Sequence, residues 1–290
     1  MNRGVVSSFD RRRSSVRITF GTAQVVIVLA VALAGAGPLY WVFKGSVSDT
    51  QELLSNPLAI WPQPTHWDNL TKAWTDLQIG HYLANTVVLV AGSWLCQVVV
   101  ALTAGYALSI LQPRYGRYLY GAILATLFVP GTVALVALYL VILDLPGLHV
   151  SIANTPFAVW LPAGAQAFNV LIAKQFFDTI PRELLEAARV DGAGSWVLFR
   201  RIVLPMSKPI IAVISLLAVM ASWKDFLWPL VAITDQQSQP LSVALPRLAA
   251  SSDQALLIAG LFIALLPPLL IFLIFQRQIV RGIGFTGVKG

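Results

Sequence analysis

Charge is scarce in this sequence: Asp, Glu, Lys and Arg make up 11% of 290 residues, against roughly 25% in an ordinary soluble domain. With 57% of residues hydrophobic, a soluble fold cannot hide the apolar surface. Cysteine is nearly absent too. Cys96 stands alone inside an apolar run, which excludes an intrachain disulfide and a cysteine metal cluster and leaves a packing role. His66, His81 and His149 show no metal-ligand spacing, so no metal site is expected. There is no Gly-x-x-x-x-Gly-Lys-Ser/Thr phosphate loop, and no Ser/His/Asp or Cys/His arrangement that suggests covalent catalysis. The chain reads as one that performs no reaction chemistry of its own.

What the sequence does have is long apolar runs, each able to cross a hydrocarbon core that needs about 20 residues of helix. They predict six membrane helices near Ile18 to Phe43, Tyr82 to Leu111, Tyr118 to Leu143, Ile152 to Ala173, Pro209 to Ile233 and Ala255 to Phe275. The fourth is the weakest, because Pro156, Pro162, Gln166 and Asn169 interrupt it. Such breaks are tolerated where other helices or a water-filled path satisfy the freed backbone groups. The arginine-rich start superficially resembles a secretory signal, but the stretch behind it is too long and has no clear cleavage site. The expectation is an all-α membrane protein: a basic segment at 1–17, a six-helix bundle at 18–276 and a tail at 277–290.

The formal charge of +7 does not point to nucleic acid, since the basic residues lie between apolar runs and not along one periodic face. They segregate by side instead. Arg3, Arg11, Arg12, Arg13, Arg17, Arg114, Arg117, the cluster from Lys174 to Lys208, Arg277, Arg281 and Lys289 fall on one side; Lys44, Lys72 and Arg247 fall on the other. Positive loops stay in the cytoplasm, so both termini are expected there. On the outer side, Trp67, Leu70, Trp74 and Leu77 recur at helical spacing and read as an aromatic interfacial anchor.

The most informative stretch is the cytoplasmic loop 174–208 between the fourth and fifth spans. Pro181 suits the first turn of a helix, Glu183 and Glu186 favour its positive end, and Gly192 suits the left-handed residue that stops it. Ser195 is placed to cap a second short helix running toward Ile202, before Pro205 and Pro209. Two stubby helices meeting at a glycine bend make a knob. Ala187 and Ala188 let another surface approach closely, and Glu186 offers a charge for a partner's arginine.

At these residues the sequence resembles a known family. Glu186-Ala187-Ala188, three residues, Gly192, nine residues, then Ile202-Val203-Leu204-Pro205 matches the cytoplasmic "EAA" motif of permeases in binding-protein-dependent ABC importers. The resemblance implies a type I ABC importer permease architecture, with the loop as a coupling helix seated in a cleft of an ATP-binding subunit. Glu186, Ala187, Ala188, Asp191 and Gly192 would then be contact positions, with Ile202, Leu204 and Pro205 at the exit of the loop. The run Gln276 to Gly290 and the segment Ser222 to Leu230 look like the smaller permease of maltose-type sugar importers. In that group Gly287, Val288, Lys289 and Gly290 would be second ATPase contacts, and the outer loop from Thr234 to Gln254 would face the solute-binding protein.

The resemblance further implies these partners: a second homologous permease, two ATP-binding subunits or a homodimer of them, an extracytoplasmic solute-binding protein and membrane lipid. ATP and magnesium would be bound by the partner ATPase, with no cofactor in this chain. The solute implied is a sugar or related polyol, the alternatives being a glycerophosphodiester or other non-sugar solute and, more distantly, ion-coupled secondary transport. Lys224 and Asp225, an adjacent opposite pair within a span, either line the solute path or close a helix contact. Trp223 and Trp228 beside them have faces for sugar stacking but match ordinary packing as well.

Overall fold

The computed structural model describes residues 14–284, with side chains from 18 to 276. Every regular element among the described residues is helical. The chain divides into two units, 1–73 with 253–262, and 74–252 with 263–290.

The first unit is built on α1 (Ser14–Ser46) and α2 (Thr50–Ser55), with α3 (Asp68–Thr75) beginning in it. Residues Ile18–Ser46 have a mean hydropathy of 2.2 and bury none of their most apolar stretch within the chain. An unbroken apolar cylinder of this kind needs lipid or another apolar surface around it. The lower end of α1 is packed: Gly45 lies where a Cβ would come within 2.9 Å of Ile258, and Leu53, Ala255 and Ile258 close a small core with Val42. Thr50 ties this end down through its hydroxyl bond to the Asp253 carboxylate. Lys44, buried, donates to the Pro57 carbonyl at 3.2 Å.

The second unit centres on α4 (Ile79–Tyr106), continued by one π-helical turn at Ala107–Leu111. Around it lie α5 (Gly116–Thr126), α6 (Leu135–Leu143), α7 (Phe157–Gly164) and α8 (Ala167–Phe177). Next come α9 (Arg182–Val190), α10 (Ser195–Leu198), α11 (Leu204–Met206), α12 (Lys208–Lys224), α13 (Leu227–Ala232) and α14 (Leu241–Ala249). The last helix, α15 (Gln254–Gly284), runs from one unit into the other.

By length and composition, Ile18–Ser46, Ile79–Leu111 and Gln254–Gln276 can each cross a membrane, and two bent pairs raise the number of candidate spans to five. Three expected spans are therefore not continuous. The third bends by 101° between Thr126 and Gly131, the fourth is split at Ala165 and Gln166, and the fifth is split at Asp225 and Phe226. Proline explains the third and the fifth, because it lacks an N–H and its ring clashes with the carbonyl four residues earlier. Four residues before Pro130 is Thr126, where α5 ends. Pro162 sits within α7, ahead of the split at Ala165 and Gln166, and four before it is Ala158, whose carbonyl accepts from the Trp228 indole at 3.0 Å. Four before Pro229 is Asp225, whose carbonyl accepts from the Ser242 hydroxyl at 2.7 Å. The acceptors that proline leaves unpaired at Ala158 and Asp225 are thus satisfied by side chains, as an apolar medium demands.

Helices α4 and α8 approach closely at Gly105, where an added Cβ would sit 2.9 Å from the Ala173 Cβ and 3.0 Å from the Lys174 backbone nitrogen. Backbone cannot yield as a side-chain tip can. Gly105→Leu is predicted to cost about 1–3 kcal/mol through overpacking, read as a lowered unfolding midpoint in mild detergent. Gly121→Ala is the control, since nothing lies within 4 Å of the added Cβ; its midpoint is expected to hold or rise.

Candidate functional site

Pro181 holds an extended conformation (φ −56°, ψ 127°) that hands the chain into α9. Helix α9 carries Glu183 in its first turn and Arg189 in its last, each at the end where the helix dipole favours its charge. Gly192 stops the helix at φ +83°. The N–H of Ala193 reaches the Ala188 carbonyl at 2.9 Å and the N–H of Gly192 reaches the Arg189 carbonyl at 3.0 Å, the paired bonds of a Schellman cap. The second helix starts one residue earlier than expected: Gly194, not Ser195, occupies the cap position, and the Leu198 N–H bonds its carbonyl at 3.0 Å. A π-helical turn at Phe199–Val203 joins α10 to α11, and the chain then bends by 79° into α12.

The resulting elbow has two sides. Leu185, Leu198, Phe199 and Val203 are buried in one apolar cluster with Leu102 and Tyr106 of α4, Ala173 and Phe177 of α8 and Ile214 of α12. Ala188, Ile202 and Leu204 pack on that cluster half-buried. Glu186, Ala187, Asp191, Gly192 and Pro205 are exposed. So are two apolar side chains at the tip, Val190 at 87% and Trp196 at 68%, an arrangement that suits a partner surface.

Polar anchors that sequence reasoning did not find fix the elbow. The Tyr106 hydroxyl donates to the Ser195 carbonyl at 2.7 Å, and its ring lies 4.9 Å from that of Phe199. Asp178 receives the Ser109 hydroxyl at 2.7 Å and the Lys174 ammonium at 2.6 Å, and Lys174 lies 5.1 Å from the Tyr120 ring centroid. The Tyr106–Ser195 and Ser109–Asp178 partners stand 89 and 69 residues apart in sequence, so no local pattern signals them; Lys174 and Asp178 are an i,i+4 pair.

Away from the elbow, the second unit holds a half-open cavity of about 390 Å³. A stripe of α4 at helical spacing, including Ser93 and Gln97, forms one wall. The three helix breaks supply others, through Thr132, Gln166 and Asp225. Gln97 accepts from the Asn169 amide at 2.9 Å and lies 3.4 Å from the Ser222 hydroxyl. Of the four residues expected near a solute path, Asp225 and Trp228 line the cavity. Lys224 is exposed at the end of α12 and Trp223 is half-buried, and neither belongs to the cavity wall.

The loop after α13 is ordered by side chains, where the sequence showed only polarity. The Asn154 side-chain oxygen accepts from the Thr234 N–H at 2.6 Å, the Thr234 hydroxyl at 2.9 Å and the Asp235 N–H at 3.1 Å. Asn85 donates to the Gln237 carbonyl at 2.6 Å, and Arg247 donates to Gln236 at 2.6 Å and to the Tyr82 hydroxyl at 2.9 Å. Hydrogen bonds from the Ser238 hydroxyl and the Gln237 N–H hold the Asp235 carboxyl below its ordinary range. In the expected anchor stripe, Trp67 and Trp74 are half-exposed while Leu77 is buried. Gly287, Val288, Lys289 and Gly290, and the arginines from Arg3 to Arg13, lie outside the described residues.

Residues 97–284 match the family described as binding-protein-dependent transport system inner membrane component. Over 285 residues, 96% of this chain and 89% of the relative, the sequence is 30% identical to the diacetylchitobiose uptake system permease protein NgcG of Streptomyces coelicolor. Over 271 residues, 90% of this chain and 94% of the relative, it is 29% identical to the sn-glycerol-3-phosphate transport system permease protein UgpE of Pectobacterium atrosepticum. The fold matches a chain in the crystal structure of a bacterial ABC transporter involved in import of the acidic polysaccharide alginate. That match has a TM-score of 0.80 and 22% identity and covers 91% of this chain and 98% of the other. The chain belongs to the inner membrane components of binding-protein-dependent transport systems, the non-enzymatic permease subunits of ABC importers.

Proposed function

We propose that this permease passes a sugar or related polyol across the plasma membrane, driven by separate ATPase subunits docked on the 182–206 elbow. The observation that carries the reading is the elbow's two-sidedness. Its inner face is locked into the apolar cluster of α4, α8 and α12, while Glu186, Ala187, Asp191, Val190 and Trp196 stay exposed on the outer face. A partner gripping the outer face moves the helices with it, the coupling that alternating access requires. Glu186 pairs with a basic group of the ATPase, Ala187, Ala188, Asp191 and Gly192 admit its surface closely, and Ile202, Leu204 and Pro205 set the exit of the elbow.

The complex in this reading holds a second homologous permease, two ATPase subunits or a homodimer, and an extracytoplasmic solute-binding protein facing the loop from Thr234 to Gln254. ATP and magnesium sit on the ATPase. The tail residues Gly287, Val288, Lys289 and Gly290 make a second ATPase contact. Six membrane crossings with both termini in the cytoplasm fit the segregation of lysine and arginine. The solute class is supported by the diacetylchitobiose and glycerol-phosphate relatives. The second relative favours a phosphate-bearing solute as the other reading.

Reversal of one charge tests the docking face: Glu186→Lys is expected to leave insertion intact and to reduce co-purified ATPase and uptake by about tenfold or more. Normal assembly with normal uptake would remove the assignment. Tyr106→Phe tests the lock from inside. Losing the bond to Ser195 costs about 0.5–1.5 kcal/mol, so solute carried per ATP is expected to fall about two- to tenfold while the ATPase still co-purifies. An unchanged transport stoichiometry would show that the hydroxyl is idle.

A further inference from the structure

Three observations set the chemistry of the 390 Å³ cavity. Its size lies within the roughly 300–1,000 Å³ of small-molecule sites. Ser93 is fully buried on its wall with a hydroxyl that has no hydrogen-bond partner. Among the described residues that line it, Asp225 is the one ionisable side chain, and no lysine or arginine is present.

An unpaired buried hydroxyl is costly unless a passing ligand supplies its partner. Gln97, one helical turn on from Ser93 and also buried, has its amide oxygen taken by Asn169, which turns the amide nitrogen toward Ser222. Ser93, Gln97 and Ser222 therefore offer donors and acceptors in a short row, beside a carboxylate that can only accept. Trp228 adds a ring whose N–H is already committed to Ala158. Hydroxyl groups, which both donate and accept, match this set. Phosphate and carboxylate groups do not, because they would meet Asp225 in an apolar surrounding with no cation to offset the repulsion.

We infer that this cavity is a transit site for uncharged, hydroxyl-rich solutes that turns anions away, with Ser93 and Gln97 as its recognition ledge and Asp225 as its charge filter. The inference rests on the permease reading proposed above and narrows it toward neutral sugars and away from glycerol phosphate.

The test uses the complete importer, with both permeases, the ATPase and the binding protein. In a Cys96→Ser background, Ser93→Cys keeps nearly the original side-chain volume. A cationic methanethiosulfonate is expected to label it about tenfold faster than an anionic one of similar size, and Asp225→Asn is expected to erase that preference. Equal rates, or no labelling by either reagent, would overturn the inference and leave the permease reading standing.

Uptake of maltose, diacetylchitobiose and sn-glycerol 3-phosphate into proteoliposomes supplies the second arm. ATP-driven uptake of a neutral sugar is expected, slowed about fivefold by Ser93→Val and by Gln97→Leu. Unchanged uptake in both variants, or preference for glycerol phosphate, also overturns the inference. No ATP-driven sugar uptake with the labelling preference intact would instead sink the sugar reading and leave the charge filter.

Discussion

The packing of Leu185, Leu198, Phe199 and Val203 against Tyr106, Leu102, Phe177 and Ile214 is the contact on which the rest of the structure depends. Each such side chain contributes about 1.5–3 kcal/mol when fully buried. Peeling the elbow from the helices would expose all of these side chains at once. The Tyr106 to Ser195 bond and the Ser109, Lys174 and Asp178 group add direction to what the apolar contact supplies in strength. A close-packed joint transmits displacement because packed interiors do not deform continuously.

The same helices that hold the elbow carry the cavity wall at a different level. Helix α4 contributes Tyr106 to the joint and Ser93 and Gln97 to the cavity; α8 contributes Phe177 to the joint and Asn169 to the Gln97 bond. The cavity is also where the interrupted backbone collects, through Thr132, Gln166 and Asp225. Irregular backbone at membrane depth is tolerated where it is buried in protein or lines a cavity. Proline thus serves two ends: Pro130 and Pro229 stand at helix breaks, and Pro162 and Pro229 leave carbonyls at Ala158 and Asp225 that tie Trp228 and Ser242 into place.

The elbow was legible in sequence because local chemistry writes it: Pro181 opens it, Gly192 turns it, and the Glu186-Ala187-Ala188 spacing identifies it. The structure shifts its second cap by one residue, to Gly194, a detail that short-range propensity does not resolve. The unbroken spans Ile79–Leu111 and Gln254–Gln276 were equally plain from hydropathy. Averaged hydropathy hid the breaks at Pro130 and Pro229, because the flanking residues are apolar and a window smooths over them. A search for the carbonyl four residues before each proline would have exposed them. Tyr106, Ser109 and Ser93 were not legible, since their roles come from partners or voids that only tertiary structure creates. Lys224 and Asp225, adjacent in sequence, part company at the end of α12, where the helix stops between them.

The central claim is that the elbow and α4 move as one body while nucleotide binding opens and closes the solute path. Pulsed-EPR distances between a label at Ala187 and one at Val87, near the far end of α4, measure this directly in the assembled importer with and without ATP. The account predicts a separation constant to within about 2 Å, the scale of small helix shifts, while thiol access to Ser93→Cys changes between the two states. A larger change in the Ala187 to Val87 distance with unaltered access at Ser93 would contradict it.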